Sequence, residues 1–197
     1  MTVGGEAWLD LCAGPGGKAA LLGALASQKG ATLLANEPAP HRAKLVSQAL
    51  SAVPRGTWQV RTGDGREVGT EKPEAFDRVL VDVPCSGLGA LRRRPEVRWR
   101  RTPADVAPLA DLQRRLLDSA LASVRPGGVV AYVTCSPHRA ETVDVVAAVA
   151  GRDDVEVLPV APLFPEVPGA ARGDAVQLWP HRHGTDAMFM ALLRRTR

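Results

Sequence analysis

Short apolar runs alternate with amphipathic stretches along most of the chain, and this alternation predicts the fold. Apolar runs of strand length occur at residues 7–11, 32–35, 57–62, 78–81, 129–133, 155–160 and 187–193. Apolar residues at helical spacing lie between most of these runs, most clearly over residues 105–124. The order is typical of an α/β fold with a mostly parallel, seven-stranded sheet between two helix layers. Because no helical pattern separates the last two strands, the final strand is predicted to be antiparallel.

Length and composition indicate one soluble domain. The chain has 197 residues, of which 45% are hydrophobic and 23% are charged, and this is enough to bury a substantial core. No apolar run approaches the ~20 residues that a membrane helix requires. Residues 1–6 lack the basic and apolar regions of a signal peptide. We therefore expect a cytoplasmic protein that does not contact a membrane.

Positive charge is concentrated in one segment. The net charge is only +4 and the pI about 9.3, but six arginines fall between residues 92 and 101. The surrounding stretch, residues 86–103, exceeds the usual length of a connection, which indicates a functional loop. Such a basic cluster favours a polyanionic partner such as RNA, although it could also form a solvated face or surface ion pairs.

The chain contains three cysteines, Cys12, Cys85 and Cys135. Their odd number and the lack of a Cys-x-x-Cys pair argue against a disulfide framework and against a structural metal site. Cys85 and Cys135 each follow a predicted strand, and parallel strands end at the same edge of a sheet, where ligands bind. The two thiols are therefore predicted to meet there and to take part in covalent chemistry. The side chain of Cys12 is predicted to pack as a small apolar group.

A glycine-rich turn at residues 12–18 joins the first strand to the first helix. It is not a P-loop, because Cys12 stands where the first glycine is required and Ala19 where a hydroxyl is required. A dinucleotide fingerprint would have Ala19 as its last small residue, so that interpretation is weakened but stays open. The third interpretation is a site for S-adenosylmethionine, whose nucleoside could approach the glycine backbone closely.

Acidic residues close four successive predicted strands and favour S-adenosylmethionine. They are Asp10, Glu37, Asp64 and Asp82. Glu37 is placed to accept the ribose hydroxyls, and Asp64 to accept the adenine amino group. Asp82 is placed to face the cationic end of the cofactor or the substrate ring. Any one acid could be a turn or N-cap residue, but four in order form a stronger signal.

Two thiols beside such a cofactor indicate methylation of a pyrimidine at C5. That carbon becomes nucleophilic only after a thiolate adds to C6, and a base must later remove the C5 proton so that the thiolate can leave. The mechanism also needs an acid near N3. Positive potential must lower the pKa of the thiol, and Lys18 and Arg92 are candidate sources.

Several stretches of the sequence resemble the Sun/Fmu branch of the Nol1/Nop2/Sun family of RNA cytosine-C5 methyltransferases. The matching stretches are residues 9–18, 63–66, 76–89, 93–96, 112–113, 134–136 and 180–186. They follow the family's order along nearly the whole chain. One departure is Glu37, where many relatives have Asp, and either carboxylate can reach a ribose.

The resemblance implies a Rossmann-like class I fold that binds S-adenosylmethionine and methylates C5 of a cytosine in RNA, with bacterial 16S rRNA as the expected substrate. It implies Cys135 as the nucleophile and Cys85 as the cysteine that assists release. It also implies that Lys18 and Asp82 face the base. The implied cofactor contacts are Cys12, Ala13, Gly14, Pro15, Gly16, Gly17, Lys18, Glu37, Arg42, Asp64 and Asp82.

Members of this branch also carry an N-terminal RNA-binding domain before the first strand. Residues 1–197 are therefore expected to form the catalytic domain alone, as a monomer without a metal. Two alternatives stay open, namely a methyltransferase for transfer RNA and a ribosome-assembly factor that binds RNA without turnover.

Overall fold

The computed structural model describes residues 5–197, which form one sheet with helices on both faces. The strands are β1 Ala7–Asp10, β2 Thr32–Glu37, β3 Trp58–Thr62, β4 Phe76–Asp82, β5 Val124–Thr134, β6 Val155–Leu158, β7 Ala171–Arg172, β8 Ala175–Gln177 and β9 Phe189–Arg195. The helices are α1 Gly17–Lys29, α2 Pro40–Ala49, α3 Val68–Glu71, α4 Val97–Arg100, α5 Val106–Ser123, α6 Val143–Ala150 and α7 Pro180–His183.

The sheet is mostly parallel, as predicted. Its strand order is β3-β2-β1-β4-β5-β9-β8-β7, and β6 also pairs with β9. Strands β1 to β5 pair in parallel, whereas β9 runs antiparallel to β5 and β6. The predicted α/β fold and the antiparallel last strand are therefore confirmed, and the seven predicted strands correspond to β1–β6 and β9.

A short hairpin, β7–β8, adds two strands that the apolar pattern did not predict. Ala171 pairs with Val176 and Arg172 with Ala175, so the loop between them contains only Gly173 and Asp174. Gly173 has a φ of 63°, the left-handed region that tight hairpin loops require. The Gly-Asp pair is the local signal that could have predicted this hairpin, since the strands themselves are too short to show a period.

Helix boundaries follow the expected local chemistry. Gly30 ends α1 in the left-handed region, at φ 67°, and its N–H donates to the carbonyls of Ala26 and Ser27. Pro40 begins α2, where its missing N–H costs nothing. The helix expected near His138 begins with a single 3-10 turn before α6. The long basic segment is also partly ordered, since it contains α4.

The core lies on both faces of the sheet. One cluster joins the centre of the sheet to α5 and α6 and includes Leu9, Val79, Leu117, Val130 and Tyr132. The other joins β1 and β2 to α1 and α2. Packing on both faces fixes the central strands, so the residues at their carboxyl ends are held in place. Within residues 5–197, no helix combines the length and apolar character that a membrane span needs.

Candidate active site

Cys85 and Cys135 meet at the carboxyl edge of the sheet. Strand β4 ends at Asp82 and β5 ends at Thr134, and these two strands are parallel neighbours. The chain continues from each strand directly to a cysteine, and the two Sγ atoms lie 3.3 Å apart. The prediction that the two thiols come together is therefore confirmed by the geometry.

A buried glutamate, Glu141, holds the loops that carry both thiols. Its carboxylate is fully buried, and its Oε1 accepts a hydrogen bond from the backbone N–H of Ser86 at 2.7 Å. Its Oε2 accepts from the hydroxyls of Ser86 and Ser136, at 2.5 and 2.6 Å. Gln113 donates to Oε1 at 3.0 Å and to the carbonyl of Pro84 at 2.9 Å. One carboxylate thus links the residue after each cysteine, because ionised oxygens can each accept several bonds.

Gly89 provides a second link between the two loops. Its N–H donates to the carbonyl of Cys135 at 2.9 Å, and its own carbonyl accepts from the N–H of Ala187 at 2.8 Å. A Cβ on residue 89 would lie only 2.6 Å from the Cys135 carbonyl oxygen. Glycine is therefore required for this close approach of backbones.

The paired thiols have unequal affinity for a proton. The two thiols are within hydrogen-bond distance, and this contact with Cys135, more than those with Thr134 and the Gly87 N–H, lowers the pKa of Cys85 to about 7. The same contact, together with burial, raises the pKa of Cys135. The contact between the thiols therefore favours the thiolate form of Cys85 over that of Cys135.

Lys18 and Asp82 form an ion pair beside the thiols. Lys18 Nζ lies 2.6 Å from Asp82 Oδ2. Lys18 comes from the first turn of α1 and Asp82 from the end of β4. Asp82 is close enough to the thiols for its charge to contribute to the raised pKa of Cys135. Both side chains are partly exposed, so each can contact a ligand at this edge.

The glycine-rich turn packs around Glu37. A Cβ on Gly14 would lie 2.1 Å from Glu37 Oε2, so only glycine fits there. Arg42 donates to the Gly14 carbonyl at 2.7 Å and lies 3.6 Å from Glu37 Oε2. These contacts bring together three of the predicted cofactor residues and orient the Glu37 carboxylate, which is itself buried.

Gly17 differs from the other glycines of this turn. Gly16 has a φ of 118° and a Cβ there would lie 2.6 Å from Ala49 Cβ, so packing explains it. A Cβ on Gly17 would meet no atom within 4 Å. The folded chain therefore leaves open space at the start of α1, and a bound nucleoside cofactor would fit there against bare backbone.

The remaining predicted cofactor residues occupy different environments. Ala13 is buried and its N–H donates to the Asn36 carbonyl at 2.9 Å, whereas Pro15 is exposed. Cys12 packs against the core cluster on the α5 face, and burial raises the pKa of its thiol. Its side chain is thus packing, as predicted, and only its backbone lies in the turn.

Asp64 already has a partner in the protein. Its Oδ1 accepts from the backbone N–H of Arg66 at 2.9 Å, and the Arg66 guanidinium contacts both carboxylate oxygens. This ion pair lowers the pKa of Asp64. Asp64 therefore lies at the predicted edge of the sheet, but an adenine bound there would share the carboxylate with Arg66.

Asp10 is buried at the end of β1, and neither of its carboxylate oxygens has a hydrogen-bond partner among residues 5–197. Burial, and then the negative charge of Asp82, raise its pKa from 3.8 to about 7. Asp10 binds its proton more tightly in the folded protein than in the unfolded chain, so protonation stabilises the fold. This contribution to stability is largest below the pKa that Asp10 has in the unfolded chain. That contribution is lost as the pH rises through the folded pKa.

The Asp10→Asn variant is therefore expected to be relatively more stable at high pH. Between pH 5 and pH 8 the unfolding free energy of the natural protein should fall by about 2.5 kcal/mol relative to the variant. Urea unfolding of both proteins at the two pH values measures this difference. Equal pH dependence in the two proteins would contradict the buried, proton-binding state of Asp10.

The basic segment also packs at this edge. Arg92 Nε lies 2.9 Å from Asp186 Oδ1, and Arg93 pairs with the same carboxylate. Arg101 Nε donates to the carbonyl of Ser86, next to Cys85, at 3.3 Å. The sequence suggested Arg92 as a source of positive potential for the thiols. In the structure, its guanidinium is paired with Asp186.

An apolar groove of about 410 Å³ opens beside Lys18. Its walls include Leu21, Leu80, Val133 and Met188, and Lys18 is the one charged residue that lines it. Such a lining lacks acceptors for ribose hydroxyls or an adenine amino group. The polar groups suited to a nucleoside lie instead at the glycine-rich turn.

Comparison with known proteins identifies the family. The family described as "16S rRNA methyltransferase RsmB/F" matches residues 2–194. The chain belongs to this RsmB/F family. The resemblance to the Nol1/Nop2/Sun methyltransferases is thereby confirmed.

Individual relatives agree with RsmB/F membership. The chain is 61% identical over 189 residues to "Putative methyltransferase Rv1407" of Mycobacterium tuberculosis, covering 95% of this chain and 40% of the relative. It is 35% identical over 190 residues to "Ribosomal RNA small subunit methyltransferase F" of Salmonella paratyphi A, covering 95% and 40%. The chain thus spans about 40% of the length of these two relatives.

Solved structures share the RsmB/F domain fold. The crystal structure of PH0851 superposes with a TM-score of 0.87 at 30% identity, covering 97% of this chain and 43% of that one. NSun6 from Pyrococcus horikoshii, solved with SFG, superposes with a TM-score of 0.83 at 24% identity, covering 98% and 48%. These likenesses confirm the Rossmann-like fold.

Two features of this RsmB/F site were not predicted from sequence. These features are Glu141 and Gln113, which link the two loops that carry the thiols. Gln113 lies within residues 112–113, one of the stretches that resemble the family, but no role was predicted for it. The only local signal for Glu141 is an acidic residue six positions after Cys135, where it also suits the start of a helix. Among residues 5–197, no group of three or more potential metal ligands occurs.

Proposed function

We propose that this domain transfers a methyl group from S-adenosylmethionine to C5 of a cytosine in RNA, with 16S rRNA as the substrate. The observation that carries the proposal is the pair of thiols, 3.3 Å apart, at the ligand-binding edge of the sheet. The description of the family, which names 16S rRNA, supports the substrate. The SFG in the NSun6 structure and the open backbone at Gly17 support the cofactor.

The glycine-rich turn and the acidic strand ends would hold the cofactor. Glu37, which Arg42 orients, would accept the ribose hydroxyls. The backbone of residues 12–18 would lie against the nucleoside at Gly17, and Asp64 would face the adenine. When bound, S-adenosylmethionine supplies a methyl group on a sulfonium centre. Asp82 lies between this turn and the thiols, where its charge would stabilise a neighbouring cation.

Cys135 would form the covalent bond to the substrate. Its proton passes to the Cys85 thiolate, 3.3 Å away, as its sulfur adds to C6 of the cytosine. The electron pair of the C5–C6 double bond then makes C5 nucleophilic, and C5 takes the methyl group. Lys18 carries a positive charge beside this position and would stabilise the negative charge that develops on the ring.

Cys85 would complete the reaction by assisting release. In the covalent adduct, Cys85 would give the proton that it took from Cys135 to solvent and become a thiolate again. The thiolate then takes the C5 proton, the C6–S bond breaks, and Cys135 leaves as a thiolate. One proton is released overall for each methyl group transferred.

A methyl-transfer assay tests this function. The purified protein would be incubated with methyl-labelled S-adenosylmethionine and with unmodified 16S rRNA or unmodified transfer RNA. We expect label in 16S rRNA at a single cytosine, located by bisulfite sequencing. Label confined to transfer RNA would overturn the substrate, and label at a base other than cytosine would overturn the chemistry. Cofactor binding without transfer to either RNA would favour a binding factor.

A further inference from the structure

Trp99, in the short helix α4, is exposed to an unusual degree for an indole. Its exposed fraction is 82%, and no other large apolar side chain in residues 5–197 exceeds 62%. Tryptophan buries a large apolar area when it finds a partner. An indole held in solvent on an ordered helix is therefore suited to contact a ligand or another molecule.

Positive charge surrounds this indole. The Arg98 guanidinium lies 5.7 Å from the Trp99 ring centroid, and Arg94 and Arg100 are also exposed. Segment 92–101 contains six arginines and a single acid, Glu96. An exposed aromatic face within a cationic surface matches single-stranded nucleic acid, because bases stack on the ring while phosphates pair with the cations.

Helix α4 packs against the loop that carries Cys85. Arg101, directly after α4, donates to the Ser86 carbonyl at 3.3 Å. Val97 Cγ1 lies 3.7 Å from the position that a Cβ on Gly87 would occupy. A strand that delivers a base to Cys135 would lie beside the loop that carries Cys85, and α4 packs against this same loop.

We propose that Trp99 is a stacking platform for an unpaired RNA base that flanks the target cytosine, with Arg94, Arg98 and Arg100 contacting the adjacent phosphates. The inference rests on the proposed function for the identity of the target base. Stacking needs only the flat face of a base, so this contact would orient the strand without reading its sequence.

Two substitutions separate stacking from apolar contact. Trp99→Leu keeps an apolar side chain but removes the flat ring, whereas Trp99→Phe keeps a ring. We expect Trp99→Leu to raise the Kd for a single-stranded RNA about tenfold and to leave affinity for S-adenosylmethionine unchanged. Trp99→Phe should stay within about threefold of the natural protein. Fluorescence anisotropy of a labelled, unmodified RNA oligonucleotide measures both values.

Salt dependence and fluorescence provide matched controls. Because Trp99→Leu removes no charge, the slope of log Kd against log salt should not change, whereas Arg100→Ala should reduce that slope by about one. Arg55→Ala, which replaces an exposed arginine before β3 at the opposite edge of the sheet, should leave the slope unchanged.

RNA should quench indole fluorescence in Trp58→Phe but much less in Trp99→Phe.

Several results would overturn the inference. They are equal RNA affinity in Trp99→Leu and the natural protein, an equal loss in Trp99→Phe and Trp99→Leu, and no affinity of the natural protein for single-stranded RNA. A loss of thermal stability without a loss of RNA affinity would assign Trp99 to a protein contact and would also overturn it. RNA binding with quenching at Trp99 but no methyl transfer would sustain the inference while the proposed function fails.

Discussion

Replacing Cys135 with alanine is expected to abolish methyl transfer, with a loss of at least about 10⁴-fold in rate. Cys85, whose sulfur lies 3.3 Å away, is the one neighbouring thiol that could replace Cys135 as the nucleophile. It is already needed to remove the C5 proton. Single-turnover transfer of a labelled methyl group to RNA measures the loss. Affinity for S-adenosylmethionine should be retained, since the glycine-rich turn is unchanged.

Replacing Cys85 with alanine should have a different outcome. Without Cys85, the main cause of the raised pKa of Cys135 is gone, so Cys135 can lose its proton to solvent and still add to C6. Removal of the C5 proton loses its base, so covalently linked RNA should accumulate. Denaturing gel electrophoresis detects that adduct as a shifted band, and Cys85→Ala/Cys135→Ala should not form it. An adduct in Cys135→Ala, or full transfer by that variant, would show that the two roles are exchanged.

Replacing Glu141 with alanine is expected to be the most destabilising change at the site. The variant would leave four buried donors without their acceptor, from Ser86, Ser136 and Gln113. Removing a buried carboxylate from such a network costs about 3–5 kcal/mol of unfolding free energy. Methyl transfer should also fall, because both thiol loops lose their common anchor. Urea unfolding and single-turnover transfer measure the two effects.

Glu141→Gln and Glu156→Ala are the controls for this prediction. Glutamine keeps the shape and one acceptor oxygen, and the serine hydroxyls can rotate to accept from its amide, so stability should be largely restored. Glu156 forms an exposed ion pair with Arg194 at 2.9 Å, and its removal should change stability little. If Glu141→Ala unfolded at the same urea concentration as Glu156→Ala, the carboxylate would not be the anchor of the loops.

The meeting of the thiols could be predicted because it follows from topology. Parallel strands end at one edge, so Cys85 and Cys135 were brought together once both strands were placed correctly. The proximity of Gly14 to Glu37 follows in the same way from the parallel pairing of β1 with β2. These predictions needed only the positions of the strands, which apolar periodicity records well, and their parallel direction, which the alternation of strands with helices indicates.

The anchor and the exposed indole could not be predicted by the same argument. Glu141 contacts Ser86 across 55 positions of sequence, and no local period connects them. Whether Arg92 is free or paired likewise depends on Asp186, 94 positions away. Trp99 carries no sequence signal of exposure, since tryptophan in a helix more often faces a core.

Strand β9 pairs with two separate strands along a single edge, β6 with its second half and β8 with its first. Residues 159–174 connect β6 to β8, and both of these strands are hydrogen-bonded to β9. The entropic cost of closing a loop rises only slowly with its length, so this connection can be lengthened at little cost in stability. An epitope or affinity peptide inserted there would leave β4 and β5, and hence the spacing of the thiols, undisturbed.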